Sequence, residues 1–245
     1  MLLGDVGTGK TTLSRKLCQI LRTKNDINFH MVMDPNYPDE KLFLASLARN
    51  FGIDIPAQDP NVVDIKESLE KFLIKKGIEE RQTVVLIVDE AQILKDNTLE
   101  TLRLLLNFET NEFKLIQVIL LGQMELYAKI MNIPNFLDRI SFKYTLNPFD
   151  LDETREMIEF RIRQGGYSAR MRLFLEEAVR EIHRYTRGYP RQISMICHKA
   201  LKLLVLKNRF VVDRGIINEI IDEEVRQGWS KTTNHAILQK SNYLS

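Results

Sequence analysis

The stretch Gly4-Asp5-Val6-Gly7-Thr8-Gly9-Lys10-Thr11 fits the pattern G-x-x-x-x-G-K-[ST], and its reading decides how the rest of the chain is read. Glycines at this spacing let the backbone turn tightly, so that its N–H groups point inward at phosphate oxygens. Lys10 would reach the β and γ phosphates of a nucleoside triphosphate, and the Thr11 hydroxyl would be a Mg²⁺ ligand. A helix starting near Thr11 would aim the positive end of its dipole at the same charge. The candidate nucleotide-binding residues are therefore Gly4, Asp5, Val6, Gly7, Thr8, Gly9, Lys10, Thr11 and Thr12. The bland alternative is a glycine-rich turn with a surface lysine. The setting argues against it, because the loop lies between the apolar Met1-Leu2-Leu3 and a segment whose leucines and isoleucines recur at helical spacing.

A second stretch supports the first. Val84-Val85-Leu86-Ile87-Val88 is an unbroken run of apolar, mostly β-branched residues, the pattern of a strand covered on both faces in a parallel sheet. It delivers Asp89-Glu90-Ala91-Gln92 at its carboxyl end. Two acids at the end of a buried strand need compensation for their lost hydration. A magnesium ion beside a triphosphate provides it. Asp89 is the candidate metal ligand, together with Thr11, and Glu90 the candidate base that polarises the attacking water. The plain alternative is a strand-to-loop turn with solvated acids.

Outward from these motifs the chain alternates. Helices are expected over 11–23 (on Leu13, Leu17, Ile20 and Leu21), 39–51, 62–75 (ended by Gly77), 97–108 and 123–131, and strands over 27–33, 84–88, 115–121 and 140–146. Strand alternating with helix implies an α/β fold with a doubly wound parallel sheet. Near Pro148 the character changes, and only helical patterns follow, over 152–164, 171–187, 190–206 and 213–226. The expected organisation is an α/β nucleotide-binding domain over 1–150, a helical lid domain over 151–228 and a polar tail over 229–245. Met1-Leu2-Leu3 looks like the end of a strand that is clipped short, so the first domain is read as truncated at its N-terminal side.

Composition sets limits. The chain has 245 residues, 44% hydrophobic and 28% charged, the balance of a globular protein able to bury a core without disulfides or metals. A net charge of +2 gives no strong field and argues against tight, purely electrostatic DNA binding. Arg161, Arg163, Arg170 and Arg172 form a small basic cluster that reads better as a solvated face than as a nucleic-acid patch. Cys18 and Cys197 are far apart and build neither a disulfide framework nor a zinc site, so they read as core thiols. The four histidines show no metal-ligand spacing and read as structural, and Phe43, Phe51, Phe72 and Phe108 read as core. No apolar run approaches a membrane span, and the start is not a signal peptide, so the chain is read as cytoplasmic.

Three further residues are candidates for the chemistry. The second apolar strand ends in Gly122-Gln123, which would put the Gln123 side chain between the acidic pair and the γ-phosphate, where it would orient water. A polar residue merely opening a helix is the other reading. Arg139, in Leu137-Asp138-Arg139-Ile140 at the end of a helix before the last strand, could act on the γ-phosphate of a neighbouring subunit. Otherwise it is a surface arginine paired with Asp138 or another acid. Arg191, in Gly188-Tyr189-Pro190-Arg191, would be fixed on the first turn of a lid helix that opens with proline. It could reach the nucleotide from there, or it is an ordinary helix-surface arginine.

Together these stretches resemble the ExeA/GspA family of AAA+ ATPases. The resemblance rests on residues 4–12, on Asp89-Glu90-Ala91-Gln92, Leu105-Leu106-Asn107-Phe108-Glu109-Thr110 and Leu121-Gly122-Gln123, and on Asp138-Arg139-Ile140 and Gly188-Tyr189-Pro190-Arg191. It covers roughly residues 1–227. It implies a P-loop NTPase fold of the AAA+ type with a small all-helical lid, binding and hydrolysing Mg-ATP. It implies a homo-oligomer and a protein partner in a general (type II) secretion or pilus-assembly machinery, at the inner face of the membrane through partners. By the same resemblance Lys10 and Thr11 are Walker A ligands, Asp89 and Glu90 Walker B, Gln123 sensor 1, Arg139 an arginine finger and Arg191 sensor 2. Two departures stand out: a segment before the P-loop that helps hold adenine is missing, and Met124 stands where the family pattern has proline. The rival expectation is an AAA+ regulator of DNA transposition, a DNA-bound assembly factor with the same acidic motif. A third is a scaffold that binds ATP but barely turns it over.

Overall fold

The structure, a computed structural model, describes residues 1–55, 60–110, 114–169 and 171–228. Pro56, Arg170 and the expected tail over 229–245 lie outside the described residues. The chain divides into two compact units, Met1–Asn147 and the residues from Pro148 onward.

The first unit holds five strands: β1 (Leu2–Gly4), β2 (Ile27–Val32), β3 (Thr83–Val88), β4 (Ile116–Gly122) and β5 (Tyr144–Leu146). They form one sheet in the order β2-β3-β4-β1-β5, and every pairing is parallel. Val88 of β3 is level with Leu120 of β4, and Leu3 of β1 is level with Gly122 of β4. Among the described residues this unit has the α-helices α1 (Lys10–Leu21), α2 (Glu40–Asn50), α3 (Val62–Ile74), α4 (Asp96–Leu105) and α5 (Met124–Met131).

Alternation along β3 shows how the helices cover the sheet. Val84, Leu86 and Val88 point into a core built with Phe43, Leu44, Ile65, Leu99, Leu126 and their neighbours from α2 to α5. Val85 and Ile87 point the other way, onto Cys18 and Leu21 of α1. Helices on both faces make β3 buried throughout Val84–Val88 and account for its unbroken apolar run. The α/β expectation is met, as is the core role of Phe43 and Phe51; Phe72 and Phe108 pack partly buried against the same core. On the edge strand β2, the His30 ring lies against Phe51, with ring centres 4.3 Å apart.

Several element boundaries differ from the sequence reading. The stripe that α1 buries is Lys10, Ser14, Cys18 and Leu21, whereas Leu13 and Ile20 are exposed. The first turn must face the loop that precedes it, and this rotation sets the buried face. Gly77 does not end a helix, because α3 continues into a π-turn over Lys75–Glu79. The strand expected over 140–146 pairs only at Tyr144–Leu146. Arg139 sits on a single 3₁₀ turn, Leu137–Arg139, and not at the end of a helix.

The second unit contains α6 (Leu151–Gln164), α7 (Glu176–Thr186), α8 (Pro190–Leu206) and α9 (Arg214–Arg226) around one apolar core. Residues 171–175 are not helical as expected, and Phe174 instead bridges to Val212 in extended pairing. Asp150 and Glu153 form a reciprocal capping box at the start of α6, and Asp213 caps α9. Two acids with almost no exposure tie the helices together: Glu181 takes Arg184 and Arg214, and Glu224 takes Lys199. Between α7 and α8 the chain reverses through two left-handed residues, Arg187 (φ 51) and Gly188 (φ 78). The Phe149 N–H donates to the Gly188 carbonyl (2.8 Å), and a Cβ on Gly188 would collide with the Phe149 backbone.

Gly188→Ala combines that collision with a left-handed backbone and should cost more than about 2 kcal/mol. Its denaturant midpoint, followed by circular dichroism, should fall well below that of the parent chain. A midpoint within error of the parent's would show that the α7–α8 turn tolerates a side chain.

Candidate nucleotide site

Parallel pairing brings the carboxyl ends of β1, β4 and β3 to the same edge of the sheet, the edge where open α/β sheets hold ligands. The loop after β1 supplies Asp5 to Gly9, β3 delivers Asp89 and Glu90, and β4, lying between them, delivers Gln123.

The loop is held by its own backbone. Gly9 caps α1 with φ 102, and Gly7 has φ 86, conformations that L side chains resist. A Cβ on Gly4 would lie 2.6 Å from the Thr8 Oγ1 and 3.1 Å from the Leu146 carbonyl oxygen, so only glycine fits between the loop and β5. The Thr8 hydroxyl donates to the Asp5 carbonyl (2.9 Å). Lys10 is 5% exposed. Its ammonium donates to the carbonyls of Gly4 (2.8 Å) and Asp5 (3.0 Å), and no carboxylate among the described residues pairs with it. A buried cation held only by carbonyl dipoles at a helix N-terminus is a standing site for an anion. Thr11 is half-buried on the first turn, while Val6 and Thr12 are exposed.

Across the edge, Asp89 is 2% exposed. Among the described residues its carboxylate accepts one hydrogen bond, from the Glu90 N–H (2.9 Å). Glu90 itself has φ 51 and ψ 36, a left-handed conformation that costs a non-glycine residue about 1–2 kcal/mol. Such strain concentrates at functional sites. Its carboxylate accepts from the Gln92 side-chain amide (2.6 Å), on a 3₁₀ turn over Ala91–Ile93. The amide oxygen of Gln92 in turn accepts from the backbone N–H of Gln123 (3.1 Å), the N-cap of α5. Lys129 of α5 donates to the Gln92 carbonyl (2.7 Å) and the Leu94 carbonyl (2.9 Å) and pins the turn. The sequence reading gave Gln92 no role. Its signal was its place in the acidic motif beside a strand ending in Gly122, where a Cβ would sit 3.1 Å from the Gln92 amide oxygen.

The structure thus brings the loop, the acidic pair and Gln123 to one edge. Arg139 is half-buried on its turn, and among the described residues no acid pairs with it, Asp138 included. Arg191 is exposed on the first turn of α8, after Pro190, in the second unit. No group of three or more His, Cys, Asp or Glu side chains that could hold a metal occurs among the described residues. Asp89 and Thr11 are hard oxygen donors of the kind Mg²⁺ takes, and that ion completes its shell with phosphate oxygens and water. The donor set fits Mg²⁺ held jointly with a nucleotide.

A profile of the AAA domain family matches residues 1–130. The chain belongs to that family. It is 35% identical over 203 residues to General secretion pathway protein A of Aeromonas hydrophila, covering 82% of this chain and 36% of that protein. The AAA chain described here therefore spans little more than a third of that relative's length. Solved structures share the fold. Cdc6p from Pyrobaculum aerophilum aligns with a TM-score of 0.63 at 20% identity, over 86% of this chain and 56% of that one. The ORC2 protein of Aeropyrum pernix gives 0.63 at 18%, over 91% and 61%. The RuvB branch-migration motor of Thermotoga maritima gives 0.59 at 16%, over 90% and 60%. No helix among the described residues is long and apolar enough to cross a membrane.

Lys10→Ala removes the one buried cation of the loop. Calorimetry should find ATP binding lost in this AAA chain while the melting temperature stays near the parent's, and undiminished ATP affinity would overturn the assignment of the loop.

Proposed function

We propose that this AAA chain binds Mg-ATP on its loop, hydrolyses it, and serves as the ATPase module of a general (type II) secretion or pilus-assembly system. The observation that carries the reading is the pairing of an acid-free buried lysine, Lys10, with the acids Asp89 and Glu90 across the same sheet edge. The relative with secretion in its name supports the pathway.

In this reading the inward N–H groups of residues 5–11 and the Lys10 ammonium take the phosphates. Thr11 and Asp89 hold Mg²⁺, which neutralises charge on the phosphate oxygens. Glu90 takes the proton of the attacking water, and Gln123 orients that water. As the γ-phosphate leaves, negative charge spreads over its oxygens, and cations aimed at it lower the barrier. Arg139, which no acid among the described residues pairs, serves the nucleotide of a neighbouring copy in a homo-oligomer. Arg191 is the second cation of the scheme. The module works on the cytoplasmic side, where ATP is, and reaches the membrane through a protein partner.

Two experiments test this. Glu90→Gln keeps the metal and phosphate contacts but removes the base, so ATP should still bind while turnover falls by about 10² or more; near-normal turnover would mean another group activates the water. Arg139→Ala should likewise bind ATP and hydrolyse it slowly. Mixed with Lys10→Ala it should regain activity, because the Lys10 variant offers its Arg139 to the intact loop beside it; a finger supplied in trans is worth about 10³ to 10⁵ in GTPases. If the two variants co-assemble and the mixture is no faster than the sum of its parts, the trans role of Arg139 is wrong.

A further inference from the structure

Gln92 occupies a position no water-handling role explains, yet both ends of its side-chain amide are used. The backbone N–H of Gln123 can only donate, so the Gln92 atom facing it at 3.1 Å is the oxygen. That fixes the other end as the NH₂ group, which donates to Glu90 Oε2 at 2.6 Å. One planar group therefore ties the acid after β3 to the residue that ends β4. The side-chain amide presents a donor and an acceptor together at its tip, whereas an ionised Glu offers only acceptors and Met or Leu no donor, so none of these could make both bonds. The neighbours are arranged for this contact. Gly122 leaves the space for the amide oxygen, and Lys129 clamps the Gln92 carbonyl from α5.

We propose that Gln92 is a positioning residue that sets the spacing between Glu90 and Gln123. It holds the base and the residue that bears the water-orienting side chain in one frame. The inference rests on the proposed ATPase reading and deepens it. Glu90, in its left-handed conformation at the start of a turn, has no other side-chain partner among the described residues, so without Gln92 its carboxylate is free to swing. Groups that act on one water lose rate steeply when misplaced by about 1 Å.

The test uses two variants of the full chain with different remaining contacts. Gln92→Met loses both bonds. Gln92→Glu keeps an acceptor for the Gln123 N–H but offers no donor to Glu90. Hydrogen exchange at the Gln123 amide should speed up roughly tenfold or more in Gln92→Met and stay near the parent rate in Gln92→Glu. Turnover at saturating ATP should fall roughly tenfold or more in both, with ATP affinity changed less than about twofold. In a Glu90→Gln background, adding Gln92→Met should cost nothing further, because the two residues act through one group. A Gln92→Met chain with parental turnover, or a double variant whose losses simply multiply, overturns the inference while leaving the ATPase reading standing. A parent chain that binds ATP but whose turnover is indifferent to Glu90→Gln overturns the reading of Glu90 and this inference with it.

Discussion

Every strand pairing in the first unit is parallel, so whatever follows β1, β3 and β4 must emerge on one edge of the sheet. That edge receives a cation and an anion that are both nearly fully buried, Lys10 and Asp89, and neither is neutralised by an ion pair among the described residues. Burying unpaired charge is costly, and a fold that retains it must recover the cost elsewhere. The apolar layers on both faces of β3 supply that stability, and in the proposed reading a nucleotide with its metal ion supplies the missing partners. The site is thus the place where the sheet is least self-sufficient.

The geometry around Gln92 adds a second level. A P-loop and an acidic strand end are common to nucleotide-binding folds, but here the acid is not left to find its own orientation. Its oxygen is held by an amide whose other end is fixed to the next strand. The glycine that closes β4 leaves room for that amide, and the lysine of α5 holds the backbone carbonyl of Gln92. The tie joins two of the stretches that carry the family resemblance, the acidic motif and the end of the neighbouring strand.

Much of this was legible in the sequence. The unbroken apolar run before Asp89 read as a strand covered on both faces, and the glycine spacing before Lys10 as a tight loop feeding a helix. What was not legible depends on rotation and pairing. The buried stripe of α1 follows from where its first turn must point, not from where its leucines fall, so Leu13 and Ile20 face outward. The strand before Leu146 shrank to three residues because pairing with β1 ends there. Gln92 was hidden because its value lies in two hydrogen bonds to residues 2 and 31 positions away, and no periodicity reports those.

The position of β1 between β4 and β5 also bears on how the chain comes to be folded. β1 precedes both of its partners in the chain: Leu2 pairs with Leu121 on one side and with Tyr144 on the other. At translation rates of about 5–20 residues per second, the segment carrying the phosphate loop waits roughly 6–30 seconds for its neighbours. Closing so long a loop before any pairing is gained makes β1 a late arrival in the sheet. Within the first unit, a nascent chain therefore carries the loop sequence long before it can place that loop between β4 and β5.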